Sequence, residues 1–293
     1  MEKDSTNIGF EHSKWSSIKG LLDDDSPVVQ EGVEKFLRVC PNEGRAFLLS
    51  LTKGENQYLA KRASSLIEKL GWIDGAGDFI RFIQSQRYEL ETGWFLLDRV
   101  IYPDFEASTY SLFLDKLSDR CRELLLKPCS PKSTCEVINR VLFHEYGFRG
   151  ARENFENPEN SFLHRVLDRR EGLPIALCGI YILIARRIGF ELDPIGTPGR
   201  FTVGCFAEEF PFYVDCWSGG HLLDLEDMED KLGILPDEES GTALLPVTVS
   251  DTLARVCRNL CNHYSKSNQT QYSQLFHSFL KEFESVHHKA TNA

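Results

Sequence analysis

The sequence predicts an α+β fold that is mostly helical, with a helical N-terminal region, a small antiparallel sheet and C-terminal helices. Three observations predict it. Capped apolar stripes with helical spacing run through most of the chain. One segment, Leu173 to Ala185, is apolar almost all round, as expected of a helix at the centre of a domain. Runs of β-branched and aromatic residues cluster between Arg200 and Leu225, enough for a few short strands.

The N-terminal helices come first. Ser26 can cap a helix that opens with Pro27. Val28, Val29, Val33, Phe36 and Leu37 then share a face. About thirty residues later the pattern returns, with Asn56 as cap and Tyr58, Leu59, Ala63, Leu66 and Ile67 as stripe. Each helix is followed by a second apolar one, around Phe47-Leu48-Leu51 and Phe79-Ile80-Ile83. Two such units suggest a pair of HEAT-like hairpins, and a plain helical bundle accounts for them equally well. Asp23 to Asp25 reads as a loop and helix-start charge run.

Further helices are expected over Leu90 to Tyr102, Ala107 to Leu126 and Lys132 to Tyr146, the last ended by Gly147 and Gly150. A turn-rich stretch, Ala151 to Asn160, precedes helices at Leu163–Arg170 and Leu173–Ile188. Asn160 and Ser161 are candidate caps for the first of these. Arg186, Arg187 and Gly189 suit the end of the second. The chain is expected to turn from Asp193 to Gly199. Strands follow at Arg200–Phe206 and Phe212–Trp217, with a third at His221–Leu225. A loop rich in Gly, Asp and Glu leads to helices at Asp251–Tyr264 and Gln269–Val286. The expected regions are therefore 1–88 (HEAT-like), 89–150 (helical), 151–235 (the α+β core) and 236–293 (linker and helix pair).

Composition limits the function. The formal net charge is −11 and the sequence pI is about 5.3. That balance opposes general nucleic-acid binding. The N-terminus lacks a secretory apolar core, and Leu173–Ala185 is too short to span a bilayer. Nine cysteines without a Cys-x-x-Cys pair suggest reduced thiols in the cytoplasm. Cys257, Cys261 and nearby His263 lack the further ligands of a zinc site, so packing is the reading preferred and no cofactor or metal is expected. Arg165, Asp168, Arg169 and Arg170 read as a solvated helix face with local ion pairs.

Several motifs carry a resemblance. NSFLHRVLDRREGLPIALCGIYILIARRIGF runs from Asn160 to Phe190, followed by PIGTPGRFTVGCF and FYVDCWSGGHLLDL. Together with RVLFHEYGFRG upstream and RNLCNHY downstream, these resemble the bacterial SirB-type transglutaminase-like family, whose domain also occurs in a eukaryotic F-box protein. The resemblance spans about Glu89 to the end. It implies a papain-like core and a short TPR-like helix pair at the C-terminus.

The wider superfamily's chemistry uses a Cys at the start of the central helix, a His base on the next strand and an orienting Asp beyond it. Here Pro174 stands at the nucleophile position, as it usually does in the SirB-type family. Arg200 stands where that family keeps His, and arginine cannot act as a base near neutrality. Asp215 matches the third position. Cys178, one turn after Pro174, is the fallback nucleophile. Cys205 and Cys216 should face away from Arg200 and Asp215. Arg200 and Asp215 are expected to pair across a hairpin, either as a structural salt bridge or as a site for a small anion. Asn160 is a further groove candidate. The resulting expectation is a non-catalytic protein-binding or scaffold module with an unidentified protein partner. The alternative is a cysteine-dependent hydrolase or acyl transferase of the same fold.

Overall fold

In the computed structural model, residues 14–52, 54–70, 75–126, 128–197, 200–232 and 244–291 are described. The chain divides into two compact units after Gly75. In the first, α1 (residues 14–21) precedes α2 (Pro27–Val39), α3 (Pro41–Thr52) and α4 (Gln57–Lys69). The expected stripes meet in one core. Val33, Leu37, Leu59 and Ala63 are buried there, and Val29, Phe36 and Leu66 pack against them. Val28, expected on the same face, is exposed. Asn56 Oδ1 accepts from the amides of Tyr58 and Leu59, as a cap should. Ser26 makes no side-chain cap, and its own amide donates to Asp24. Asp25 pairs with Arg62.

The helix expected to complete the second hairpin has another place. It is α5 (Gly75–Ser85), and Phe79 and Ile83 belong to the core of the second unit. Phe79 meets Phe279 edge-on at 5.1 Å and Phe283 at 6.2 Å. The division therefore falls ahead of the expected boundary at 88, because the apolar face of α5 is covered by the C-terminal helix. Periodicity shows that a face must be buried, not what buries it.

The second unit continues with α6 (Leu90–Ile101), α7 (Ala107–Leu124) and α8 (Pro131–Asn139), which runs on into a π-helical turn, Arg140–Glu145. Next come β1 (Arg149–Gly150), α9 (Leu163–Arg169), β2 (Glu171–Gly172) and α10 (Pro174–Arg187). The short strands β1 and β2 pair in parallel. Helix α10 is the centre of the unit, with Ile175 to Ala185 all buried. Gly179 lets Trp94 lie against it: a Cβ there would sit 2.4 Å from the indole ring. Gly189 takes φ +77° just past its end.

A four-stranded antiparallel sheet packs beside α10 in the order β3 (Asp193–Ile195), β4 (Thr202–Cys205), β5 (Phe212–Asp215) and β6 (His221–Leu223). The expected turn at Asp193–Gly199 thus begins with an edge strand, while Pro198 and Gly199 lie outside the described residues. Val203, Cys205 and Val214 join the main core with α10. On the other face Ile195, Tyr213 and Leu223 form a small core with Met228 of α11 (Leu225–Leu232). Part of the expected Gly/Asp/Glu-rich loop also lies outside the described residues. Helices α12 (Val249–Lys266) and α13 (Thr270–Thr291) close the chain. Among the described residues no helix is long and apolar enough to cross a membrane.

Two local expectations need correction. Asn160 and Ser161 do not cap α9. Its first amides, Leu163 N and His164 N, donate to the buried carboxylate of Asp98 at 3.1 and 2.8 Å. The arginine cluster of α9 is less solvated than expected. Arg165 and Arg169 reach Glu159, and Arg170, in the left-handed region at φ +59°, lies over Phe113 and Phe148.

Phe79→Ala is expected to destabilise the second unit by roughly 3 kcal/mol or more through the cavity it leaves. In urea unfolding of the full chain, Leu37→Ala, in the other core, should affect a separate transition. A single shared transition shifted equally by both variants would contradict the division.

Candidate functional site

The start of α10 fixes one wall of a cleft. Leu173 is its N-cap residue, and its amide donates to Asn160 O at 2.9 Å. Pro174 sits in the first turn, where the missing N–H has no intrahelical partner to lose. No side chain caps the helix. Pro174, Phe155, Arg200, Phe201, Thr202, Asp215 and Trp217 together line a cleft of about 240 Å³. The three positions singled out in the sequence are therefore neighbours in space.

Each is held differently. Asp215 is 4% exposed and accepts from Ser218 N at 3.2 Å and Ser218 Oγ at 2.9 Å. It caps the 3-10 turn Cys216–Ser218 that follows β5. Gly219 and Gly220 follow at φ +79° and +84°. Gly220 O accepts from Asn139 Nδ2 at 2.6 Å, and a Cβ on Gly220 would overlap Asn139.

The hairpin register differs from the expected one. Val203 faces Val214 and Cys205 faces Phe212, so one more step brings Asp215 opposite Thr202. The reason lies in the connection. Pro211 has no N–H to donate, and regular pairing begins only at Phe212. Arg200 precedes the strand and is exposed. Its backbone is fixed by Thr197, with Arg200 N donating to Thr197 O at 3.2 Å. Arg255 Nη2 donates to both Thr197 O and Arg200 O, and its guanidinium lies 5.4 Å from the Phe201 ring centre. Burial, then the charge of Arg258, lowers the pKa of Arg255.

Asn160 does not line the cleft; it builds it. Its side chain is fully buried, donates to Asn154 O at 2.6 Å and accepts from Arg169 at 3.0 Å. It thereby holds the loop carrying Phe155, while its carbonyl holds Leu173. Phe155 meets Trp217 edge-on at 5.7 Å. Trp217 lies flat on Gly150, where a Cβ would come within 2.6 Å of the indole.

Cys178 is fully buried and donates its thiol to Phe201 O at 3.5 Å. It does not line the cleft. Cys216 is its neighbour, with a thiol pKa pushed well up by burial and then by Cys178. Cys205 is buried too, and burial raises its pKa. Cys257 is buried, whereas half-buried Cys261 lies against Ser273. Among the described residues no group of three His, Cys, Asp or Glu is placed to hold a metal ion.

The sequence reading passed over Phe155, Thr202, Trp217 and Arg255. Strand alternation offered a signal for two of them, since Thr202 is two residues from Arg200 and Trp217 two from Asp215. Phe155 and Arg255 arrive from distant segments, and no local pattern marks them.

A family model described as the transglutaminase-like superfamily matches residues 108–258. The chain belongs to the transglutaminase-like superfamily. A UPF0162 protein of Xylella fastidiosa (strain 9a5c) is 32% identical over 184 residues, 59% of this chain and 64% of the relative. A UPF0162 protein of Vibrio cholerae is 28% identical over 132 residues, 45% of this chain and 49% of the relative. Mouse F-box only protein 21 is 30% identical over 155 residues, 50% of this chain and 24% of that protein. The chain spans under two thirds of these relatives. No solved structure matches. In this transglutaminase-like domain the matched segment contains α10, the sheet and every residue lining the cleft.

Exposed Arg200 and buried Asp215 should differ in their effect on stability. Arg200→Ala is expected to shift stability by no more than about 0.5 kcal/mol. Asp215→Ala should cost roughly 2 kcal/mol, because it strands the Ser218 donors. Paired thermal melts measure both, and equal losses would restore the paired reading.

Proposed function

We propose that this chain is a non-catalytic binding or scaffold module built on a degenerate transglutaminase-like domain of the SirB type. The carrying observation is the composition of the cleft. The positions that need a nucleophile and a base hold Pro174 and Arg200, and both line the cleft beside Asp215. Proline offers no nucleophile. Arginine remains protonated at any physiological pH and cannot accept a proton. Asp215 is engaged as a turn cap.

A protein partner is the reading favoured for the scaffold role. It is supported by the helical unit that precedes the domain and by the domain's relatives. In mouse F-box only protein 21 the similar region covers a minor share of a longer chain, as a module would. The nine cysteines are all free thiols, which favours a reducing compartment such as the cytoplasm. The rival, a hydrolase or acyl transferase using Cys178, is disfavoured by the burial of that thiol and by its bond to Phe201 O.

The test is a panel of amide and ester substrates with and without a primary amine acceptor, alongside a thiol-reactive probe. Wild type is expected to give no turnover, and Cys178 no labelling until the protein unfolds. Turnover that disappears in Cys178→Ala would overturn the proposal.

A further inference from the structure

The cleft contains a polar group with an unmet need. Thr202 is 3% exposed, lines the cleft, and its hydroxyl has no hydrogen-bond partner among the described residues. Buried hydroxyls are rarely left so, and an unpaired one at a cleft points to an absent ligand group. Around it the cleft supplies positive character. Arg200, an exposed arginine, is on the same lining. The uncapped start of α10, a helix of 14 residues, is another part of it. There Leu173 N, Ala176 N and Leu177 N already donate to backbone carbonyls and Pro174 has no N–H, so the helix start contributes through its aligned peptide dipoles. Arg255, fixed on backbone carbonyls beside Arg200, adds to the local field without occupying the cleft.

The same lining limits the charge a ligand can bring. Asp215 stands opposite Thr202 with its carboxylate committed to Ser218, and a dianion would meet that negative charge. A single negative charge is matched by the exposed guanidinium. The remaining walls, Phe155, Phe201 and Trp217, are aromatic and suit a flat apolar body. At about 240 Å³ the space is below the ~300 Å³ usual for drug-sized ligands, so the body must be compact.

We propose that this cleft binds a small monocarboxylate with a flat apolar body, its carboxylate held by Arg200 and Thr202 at the start of α10. The proposal rests on the non-catalytic reading above and names the ligand chemistry of that site. The ring packs against the aromatic wall that Phe155 and Trp217 form together. An arginine with a hydroxyl gives a carboxylate directed, charge-assisted bonds.

Sodium benzoate is the probe, titrated into the full chain by calorimetry, with Trp fluorescence as a second readout. Saturable one-to-one binding is expected. Arg200→Ala and Thr202→Val should each weaken it about tenfold, while Thr202→Ser retains it. Arg200 is exposed and Thr202→Val preserves shape, and far-UV spectra of both variants establish that they fold. Benzyl alcohol, which has the ring without the charge, and inorganic phosphate should bind at least tenfold more weakly than benzoate. Absence of saturable benzoate binding, unchanged binding in Arg200→Ala or Thr202→Val, or phosphate binding as tightly as benzoate would each overturn the proposal. Ammonia release from benzamide is measured in parallel. Its appearance would overturn the non-catalytic reading itself, whereas failure of benzoate to bind without ammonia release removes the ligand proposal alone.

Discussion

The second unit depends on the burial of α10 on every side. A helix whose residues from Ile175 to Ala185 are all inaccessible must be walled by other elements around its whole circumference. Trp94, anchored through Nε1 to Ser161 O at 2.9 Å, packs on Gly179. The hydroxyl of Tyr181 reaches Cys135 O at 3.0 Å, tying the helix to α8. The inner face of the sheet covers another side. These contacts are apolar or hydrogen-bonded, in keeping with close packing at the centre of a domain. The cleft follows from this. A buried helix must still begin somewhere, and α10 begins at Pro174, which lines the cleft with Phe155 and the residues of the sheet.

That geometry separates the fold's needs from the chemistry its superfamily performs. Pro174 is a good first-turn residue whatever else occupies the cleft. Asp215 caps the turn that sets Trp217 and the Gly219-Gly220 bend, and this role needs no histidine nearby. Asn160 joins the Phe155 loop to the start of α10 through a buried side chain and a buried carbonyl. The presence of an acid at the third position is accounted for by structure alone, so it does not argue for a residual proton relay.

Much of this was legible in the sequence. The all-apolar run identified α10, with Pro174 at its start and Gly189 after its end. The period-two segments identified β4, β5 and β6. The motifs then brought Pro174, Arg200 and Asp215 to one cleft before any contact was known. What was missed depends on distant partners. Strand β3 contains Pro194, which disguises an edge strand as a turn, since only pairing to β4 and the bond from Val247 N to Pro194 O reveal it. The cap of α9 is Asp98, far away in sequence, where local rules look only to Asn160 and Ser161. Helix α5 repeats a pattern seen earlier in the chain, yet its apolar face belongs to α13.

The hairpin register shows how a small local fact changes a functional argument. A turn centred between Ala207 and Glu208 sets Arg200 against Asp215, and the pair then reads as an ion pair that neutralises the cleft. Pro211 delays pairing and moves the partner of Asp215 to Thr202. A shift of this parity keeps every side chain on its original face, so the core is unchanged and Val203 and Val214 still meet α10. The change falls on the cleft alone. It leaves the guanidinium on a loop at the cleft, held in place through its backbone by Arg255, and brings a buried hydroxyl to the carboxylate's side. A site that would have been internally satisfied becomes one with an exposed arginine and an unpaired hydroxyl on its lining.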